Sequence, residues 1–325
     1  MISKCLYDEA LIKPLQKGAN KLYIVSGYAS ATMASRHIKD ILDYRNDFKI
    51  SLIVGMCPLD GMDISTHNGF VNLMKNSAGI DFECKYVYNN PAVHSKVYVW
   101  FKDNTPMLAF IGSANYTQPA FGNNRKEVLT FCEPEIAYNY YEEIEPNTIY
   151  CNHGEVEEHI IFKEKKRAYV EKTDERDAIE TTEHKIQETS NTQKVTLSLL
   201  ARDGEVGRRS GLNWGQRPGR EPNQAYIPLP TNIARSGFFP LNKTHFTVLT
   251  DDNKNIILRV EQQNDKAITT PLNNSLIGEY FRNRLGLANG QYITKQDLEQ
   301  YGRNDVDFYK IDEETFYMDF SVNRE

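Results

Sequence analysis

Residues 93–115 read VHSKVYVWFKDNTPMLAFIGSAN, and shortly after them residues 124–127 read NRKE. Val93 to Phe101 alternates and is rich in β-branched and aromatic residues, which predicts a strand. Successive side chains of a strand point to opposite faces, so His94 and Lys96 are expected to emerge on one side, an imidazole and an ammonium facing one anion. Met107 to Ile111 (MLAFI) predicts a second, buried strand that runs into Gly112-Ser113-Ala114-Asn115. Small residues there let backbone and short polar side chains come close to an anion, with Ser113 and Asn115 donating hydrogen bonds to its oxygens. A third strand is expected from near Lys126 through Phe131, with Glu127 at its start.

These residue types suit cleavage of a phosphodiester without a metal. A neutral imidazole has one free ring nitrogen with which His94 can attack phosphorus. A carboxylate on the other nitrogen would fix that tautomer and stabilise the charge that develops, and Glu127 is the candidate. Lys96 and Asn115 would stabilise the negative charge of the pentacoordinate phosphorus, which is usually the largest catalytic contribution.

HxK followed by GSxN and a downstream NxE-like element resembles the signature of the phospholipase D superfamily, and the N-terminal half reads like that fold. The resemblance implies a nuclease that passes through a covalent phosphohistidine. In one position the chain departs from it: the usual Asp five residues after the Lys is Phe101 here, and Asp103 is out of step. Glu127 is then the expected partner of the histidine, as the matching Glu is in the restriction endonucleases that the chain resembles. The complete motif occurs once. Members with a single copy build their site from two subunits, so the resemblance implies a homodimer in which one histidine attacks and its mate protonates the leaving oxygen. A second HxK, His37-Ile38-Lys39, falls in a predicted helix over Thr32 to Tyr44, where a spacing of two points side chains apart, and is read as a decoy.

The chain's 325 residues are too many for one ordinary core and fit two domains. A net charge of -6 and a pI near 5.8 argue against a generally basic nucleic-acid binder, although local patches are what touch phosphates. No apolar stretch is long enough to cross a bilayer and MISKCLYDEALIKPL is not a signal-peptide pattern, so a cytoplasmic protein with no membrane partner is expected. Cys5, Cys57, Cys84, Cys132 and Cys151 are widely spaced without CxxC pairs; neither zinc nor a disulfide framework is expected, and no cofactor.

Leu22 to Val25, Ile50 to Val54 and Phe82 to Tyr88 read as further strands, and Ser65 to Asn76 as a helix. Together with the strand cluster they predict an α/β phospholipase D-like catalytic domain over residues 1–150, a mixed sheet with flanking helices. Ser26-Gly27-Tyr28-Ala29-Ser30 has two readings, a border of the phosphate pocket or a plain strand-to-helix turn. Residues 151–193 are rich in mixed charge and poor in apolar residues, a charged linker. His153, Glu155, Glu157, Glu158 and His159 in it are read as solvated rather than metal-binding.

Residues 194–325 change character again. Short strands are expected at Val195 to Leu200, Phe246 to Leu249, Ile256 to Val260 and Phe316 to Phe320, with one helix from Ser275 to Leu285, a compact β-barrel. Arg208 to Arg220 (RRSGLNWGQRPGR) has four arginines, no acid, two amide side chains and a tryptophan among glycines, and is expected to project as an arm. Arginine can read guanine bidentately and Asn or Gln adenine, so that arm suits a DNA major groove; the other reading is a flexible solvated loop. Thr269 to Ser275 is a second candidate arm, or an ordinary helix cap.

GLNWGQR, AYIPLP and RSGFFPLN resemble the C-terminal specificity domains of phospholipase D-type restriction endonucleases, which adopt a B3-like β-pseudobarrel and grip DNA with two arms. By that resemblance Arg208, Arg209, Ser210, Asn213, Trp214, Gln216 and Arg217 belong to the first arm and Asn273, Asn274 and Ser275 to the second. Phe238-Phe239-Pro240 belong to the barrel framework, with Arg235 a possible backbone contact.

The expected function is a type II restriction endonuclease cutting double-stranded DNA without a metal. Some relatives of this architecture work with a separate ATPase or translocase; the chain has no GxxxxGK[ST] loop, and such a partner stays an open alternative. Two other functions stay open: a phospholipase D-like hydrolase of another phosphodiester, and a non-catalytic DNA-binding regulator on a decayed nuclease fold.

Overall fold

In the computed structural model residues 1–122, 125–164 and 193–322 are described, in two compact units, Met1–Lys163 and Glu164–Glu325. The first unit opens with a π-helical turn, Asp8–Ile12, and α1 (Lys13–Gln16), then β1 (Lys21–Ser26), α2 (Ala31–Leu42), β2 (Lys49–Val54), α3 (Cys57–Asp60), β3 (Met62–Asp63), α4 (Ile64–Lys75) and β4 (Asp81–Val87). It continues with β5 (Lys96–Lys102), β6 (Thr105–Gly112), α5 (Gln118–Phe121), β7 (Leu129–Cys132), α6 (Pro134–Ile144), β8 (Thr148–Tyr150), α7 (Val156–His159) and β9 (Phe162–Lys163).

Seven of these strands form one mixed sheet in the order β7-β6-β5-β1-β2-β4-β8. β1, β2 and β4 run parallel and are largely buried; β1 and β2 are mostly apolar, as strands covered on both faces tend to be, while β4 carries Asp81, Glu83 and Lys85 among its apolar residues. β5, β6 and β7 are antiparallel. Alternation along β5 separates the two cores: Val97, Val99 and Phe101 pack with Ala137, Tyr141 and Ile144 of α6. Trp100 points the other way, edge-on to His37 of α2, with its indole N–H donating to Ala10 O at 2.9 Å. Ser30 caps α2 through its hydroxyl and Asp63 caps α4 through its carboxylate.

The register brings five strand ends to one rim. Ser26 pairs with both Val54 and Lys96, Val97 with Ile111, and Gly112 with Leu129. The loops that leave β1, β2 and β6 and those that enter β5 and β7 therefore meet at one edge of the sheet.

Two expectations are corrected there. His94 lies before β5, not inside it, because β1 ends opposite Lys96 and leaves nothing for residues 93–95 to pair with. Val93 instead donates to Gly55 O at 2.9 Å, an approach so close that a Cβ on Gly55 would stand 2.0 Å from Val93 O. Glu127 likewise precedes β7, and Val128 N donates to the Ser113 hydroxyl at 3.0 Å rather than to the ladder.

Of the stretch read as a linker, residues 151–163 belong to the first unit: β9 pairs with β3, and the Phe162 ring packs at a tilt against His67 with centroids 4.3 Å apart. Residues 165–192 lie outside the described residues.

The second unit contains β10 (Lys194–Ser198), a 3-10 turn at Gly211–Gln216, β11 (Ile227–Pro228), α8 (Thr231–Ala234), β12 (His245–Thr250), β13 (Asn255–Glu261) and β14 (Ala267–Thr269). α9 (Leu276–Arg284), α10 (Lys295–Tyr301), β15 (Asp305–Lys310) and β16 (Thr315–Asp319) complete it. Its sheet runs β10-β15-β16-β12-β13-β14-β11, and the terminal strands β10 and β11 come back into contact, so the sheet nearly closes into a pseudobarrel. Phe238, Phe239, Phe246, Phe308 and Phe316 fill it, as the framework reading of Phe238 and Phe239 requires.

Candidate active site

The rim of the first sheet assembles the residues of the first motif. The Lys96 ammonium lies 3.1 Å and 3.2 Å from the two ring nitrogens of His94 and donates to the His94 carbonyl at 2.6 Å. An ammonium can only donate, so this arrangement suits a ring that offers it an unprotonated nitrogen, the form a nucleophile needs. Lys96 is buried, and this burial lowers its pKa, with the nearby charge of Glu127 pulling it part of the way back. His94 itself is exposed.

Asn115 is oriented by its oxygen. Its Oδ1 accepts from Tyr28 N at 3.1 Å and, more loosely, from the Ser26 hydroxyl at 3.5 Å. That leaves the amide NH2 without a partner among the described residues, two donors that a phosphate oxygen could take up. The Ser26 hydroxyl also accepts from Tyr116 N and donates to Tyr28 O, so β1's last residue pins both loops. Of the two readings of Ser26 to Ser30, the turn does border the site. Gly27 backs it so closely that a Cβ would lie 3.0 Å from His94 Cδ2 and 3.4 Å from Asn115 Oδ1.

Glu127 accepts a short hydrogen bond from the Ser113 hydroxyl. No hydrogen bond joins Glu127 to His94 among the described residues; within one chain its carboxylate acts on Ser113 directly and on Lys96 through its field. Phe101 is buried between Tyr23 and Tyr138, and Asp103 sits at the β5–β6 turn with Asn20, at the other end of β5. The position of the superfamily's usual Asp is thus occupied by core. His37 is likewise core: fully buried, bonded to the Tyr116 hydroxyl at 2.9 Å and to Leu11 O at 3.2 Å. The site also gains two residues with no motif to announce them. The Tyr28 ring stands edge-on to His94, and its hydroxyl donates to Asp60. Among the described residues there is no group of three His, Cys, Asp or Glu able to hold a metal ion.

In the second unit the segment Arg208 to Arg220 does not simply project. Gly211–Gln216 coils into a 3-10 turn with Leu212 and Asn213 fully buried. The Asn213 amide is occupied at both ends, donating to Ile293 O at 2.7 Å and accepting from Ile293 N at 2.9 Å. Gln216 donates to Gly290 O and Pro222 O. Trp214 lies under the Arg220 guanidinium at 3.9 Å. Arg208, Arg209, Arg217 and Asn273 are exposed, whereas Ser210 and Asn274 are half-buried. Ser275 is buried with its hydroxyl on Glu221, as a helix-end residue. Arg282, fully buried in α9, donates to Leu212 O, Pro222 O, Gly278 O and Gln291 O, and so ties the turn, the following loop and α9 together. Its place inside an amphipathic helix gave no sign of this.

Residues 4–158 match the model of the NgoFVII restriction endonuclease N-terminal PLD domain, and residues 187–312 match that of the NgoFVII C-terminal B3-like DNA-binding domain. Among solved structures, NucT from Helicobacter pylori is 18% identical, with 44% of this chain and 89% of that chain covered and a TM-score of 0.33. Nuc from Salmonella typhimurium, a phospholipase D family member, is 15% identical over 43% of this chain and 87% of that chain, with a TM-score of 0.32. A search of curated proteins gave no significant match.

Proposed function

The chain belongs to the NgoFVII restriction endonuclease family, a phospholipase D-type nuclease domain followed by a B3-like DNA-binding domain, and we propose that it cuts double-stranded DNA at a specific short sequence as a metal-independent homodimer. The observation that carries this reading is the Lys96 ammonium 3.1 Å from an imidazole nitrogen of His94. Lys96 supplies positive charge next to the imidazole, which supports a reading in which the lysine stabilises the phosphate's charge and the ring is the nucleophile.

In the proposed reaction a His94 nitrogen forms a bond to phosphorus, and the bond from phosphorus to the leaving deoxyribose oxygen breaks. The proton that oxygen needs comes from the second protomer's imidazole. Water then displaces His94 from the phosphohistidine, giving its proton back to that imidazole. Lys96 and the free Asn115 amide neutralise the equatorial oxygens, while Glu127 holds the Ser113 hydroxyl and keeps Lys96 charged. A dimer is supported by what surrounds the site: β7 is an edge strand, and Ile111 at the end of β6, Val128 next to Glu127 and Phe131 on β7 are exposed, Phe131 to 58%.

DNA recognition is assigned to the second unit, with Arg208, Arg209 and Arg217 as the exposed cations to meet phosphate or guanine, although Arg217 Nε already donates to Arg209 O at 2.8 Å, and with the exposed Asn273 as a polar contact. Trp214, Asn213 and Gln216 would shape the surface that presents them. A separate ATPase or translocase is not needed for this chemistry.

Incubation with long duplex DNA in EDTA tests the reading. Discrete fragments are expected, and His94→Ala should abolish them while DNA is still bound. Random degradation would point to a general nuclease, retarded but uncut DNA to a regulator, and loss of cutting in EDTA would refute the histidine mechanism.

A further inference from the structure

His94 enters the site from a loop, is exposed, and has no carboxylate bonded to its ring among the described residues, so what fixes the direction of its attack is sought in its other neighbours. Two walls are already evident, the Lys96 ammonium at its nitrogens and Gly27 against Cδ2. The third is Tyr28, whose ring lies 5.9 Å from the imidazole, centroid to centroid, at an interplanar angle of 80°. Tyr28 is 41% exposed, so it is not there to fill a core.

Instead it is tied at both ends. Its backbone N–H holds Asn115 Oδ1 at 3.1 Å, and its hydroxyl donates to the Asp60 carboxylate in the last turn of α3. A rigid aromatic wall of this kind restricts the rotamers of an adjacent exposed imidazole without touching its nitrogens. We propose that Tyr28, anchored by Asp60, is the positioning residue that holds the His94 imidazole in its attacking orientation and couples it to Asn115. The bond to Asp60 raises the Tyr28 phenol's pKa, which keeps it a donor over the working range of pH. The inference rests on the phosphohistidine reading above.

The test uses the full-length protein with long duplex DNA under single-turnover conditions, quenched in detergent to trap the covalent protein–DNA adduct. Tyr28→Ala should slow adduct formation roughly 30- to 100-fold at saturating DNA, the size of effect that misorientation of a reacting group gives, with affinity for DNA changed less than about twofold. Tyr28→Phe keeps the wall but not the anchor and should recover most of that loss. Asp60→Ala should match Tyr28→Phe, and the double variant Tyr28→Phe/Asp60→Ala should be no slower than either, because all three break one link. Adduct formation at the wild-type rate in Tyr28→Ala overturns the proposal, as does a loss confined to DNA affinity or additive losses in the double variant. If the wild-type protein cuts DNA but never forms an adduct at His94, the phosphohistidine reading itself fails, an outcome distinct from an adduct that is indifferent to Tyr28.

Discussion

At the scale of single residues, the proposed chemistry of the rim depends on one lysine being charged. Burial lowers the pKa of Lys96 and Glu127's charge raises it again, so the two effects oppose each other in the same side chain. A lysine is cationic below its pKa; a lowered pKa therefore moves the loss of the ammonium to a lower pH than an ordinary lysine would show. The rate of the chemical step should fall on the alkaline side accordingly, and Glu127→Gln, which removes the opposing charge, should shift that limb further toward neutrality. A pH profile of single-turnover cleavage for the two proteins measures it, and an unmoved limb would mean that Glu127 does not act through Lys96. The residues of this site were legible because HxK and GSxN name their own chemistry. For Tyr28 only its turn was legible, as one reading of Ser26 to Ser30, and its place against His94 was not; Asp60, an acid at a helix end, carries no signal until the fold brings it to the Tyr28 hydroxyl.

At the scale of elements, α2 shows how the same triplet can mean something else. His37 belongs to an HxK, but a helix turns it inward, and its ring ends among Tyr7, Trp100 and Tyr116. Burial there drives its pKa down from 6.5 to about 4. The folded state thus binds its proton more weakly than the unfolded chain does. The stability that the neutral ring contributes is present above pH 6.5, erodes as the pH falls below that value, and is gone below about 4. Each unit of difference is worth about 1.4 kcal/mol, so about 2 kcal/mol should be lost between pH 7 and pH 5. Urea melts of the first unit's transition at those two values would show it, and His37→Gln should remove that part of the dependence; an identical dependence in the variant would assign it to other groups.

The strands of the first unit were legible from period and composition, and their ends less so. Whether His94 lies in β5 depends on where β1 stops, and that is a tertiary fact. β15 in the second unit was hard to read because DVDFYK puts a carboxylate at a position the fold buries; Asp307 is held there by Arg303 at 2.8 Å, Lys194 at 3.1 Å and the Thr196 hydroxyl at 2.5 Å. In the segment Arg208 to Arg220 the difference is confined to two amides. Its amides looked free to read bases, but Asn213 and Gln216 spend theirs on neighbouring carbonyls, and a buried arginine from α9 holds the backbone beneath them.

At the scale of the whole molecule, two proposals meet in one stoichiometry. One imidazole attacks and a second must supply the proton, yet each chain carries a single complete HxK–GSxN set, so a dimer should act as one catalytic unit and not as two. Mixing experiments separate these cases without any knowledge of the recognised sequence. Let wild-type protein and His94→Ala exchange subunits at equal amounts, then assay cleavage of duplex DNA. If both histidines are required, only dimers with two wild-type chains cut, and activity drops to about one quarter of that of the same total amount of wild-type protein, following the square of the wild-type fraction. If each chain cuts alone, activity follows the fraction itself and stays at about one half. Phe131→Asp offers an independent approach to the same question, because it places a charge on the exposed edge beside Glu127. Sedimentation should then show monomers that still bind DNA through the second unit and no longer cleave it. A monomeric Phe131→Asp variant that cuts at the wild-type rate would put the whole reaction inside one chain, and the source of the leaving oxygen's proton would have to be sought there.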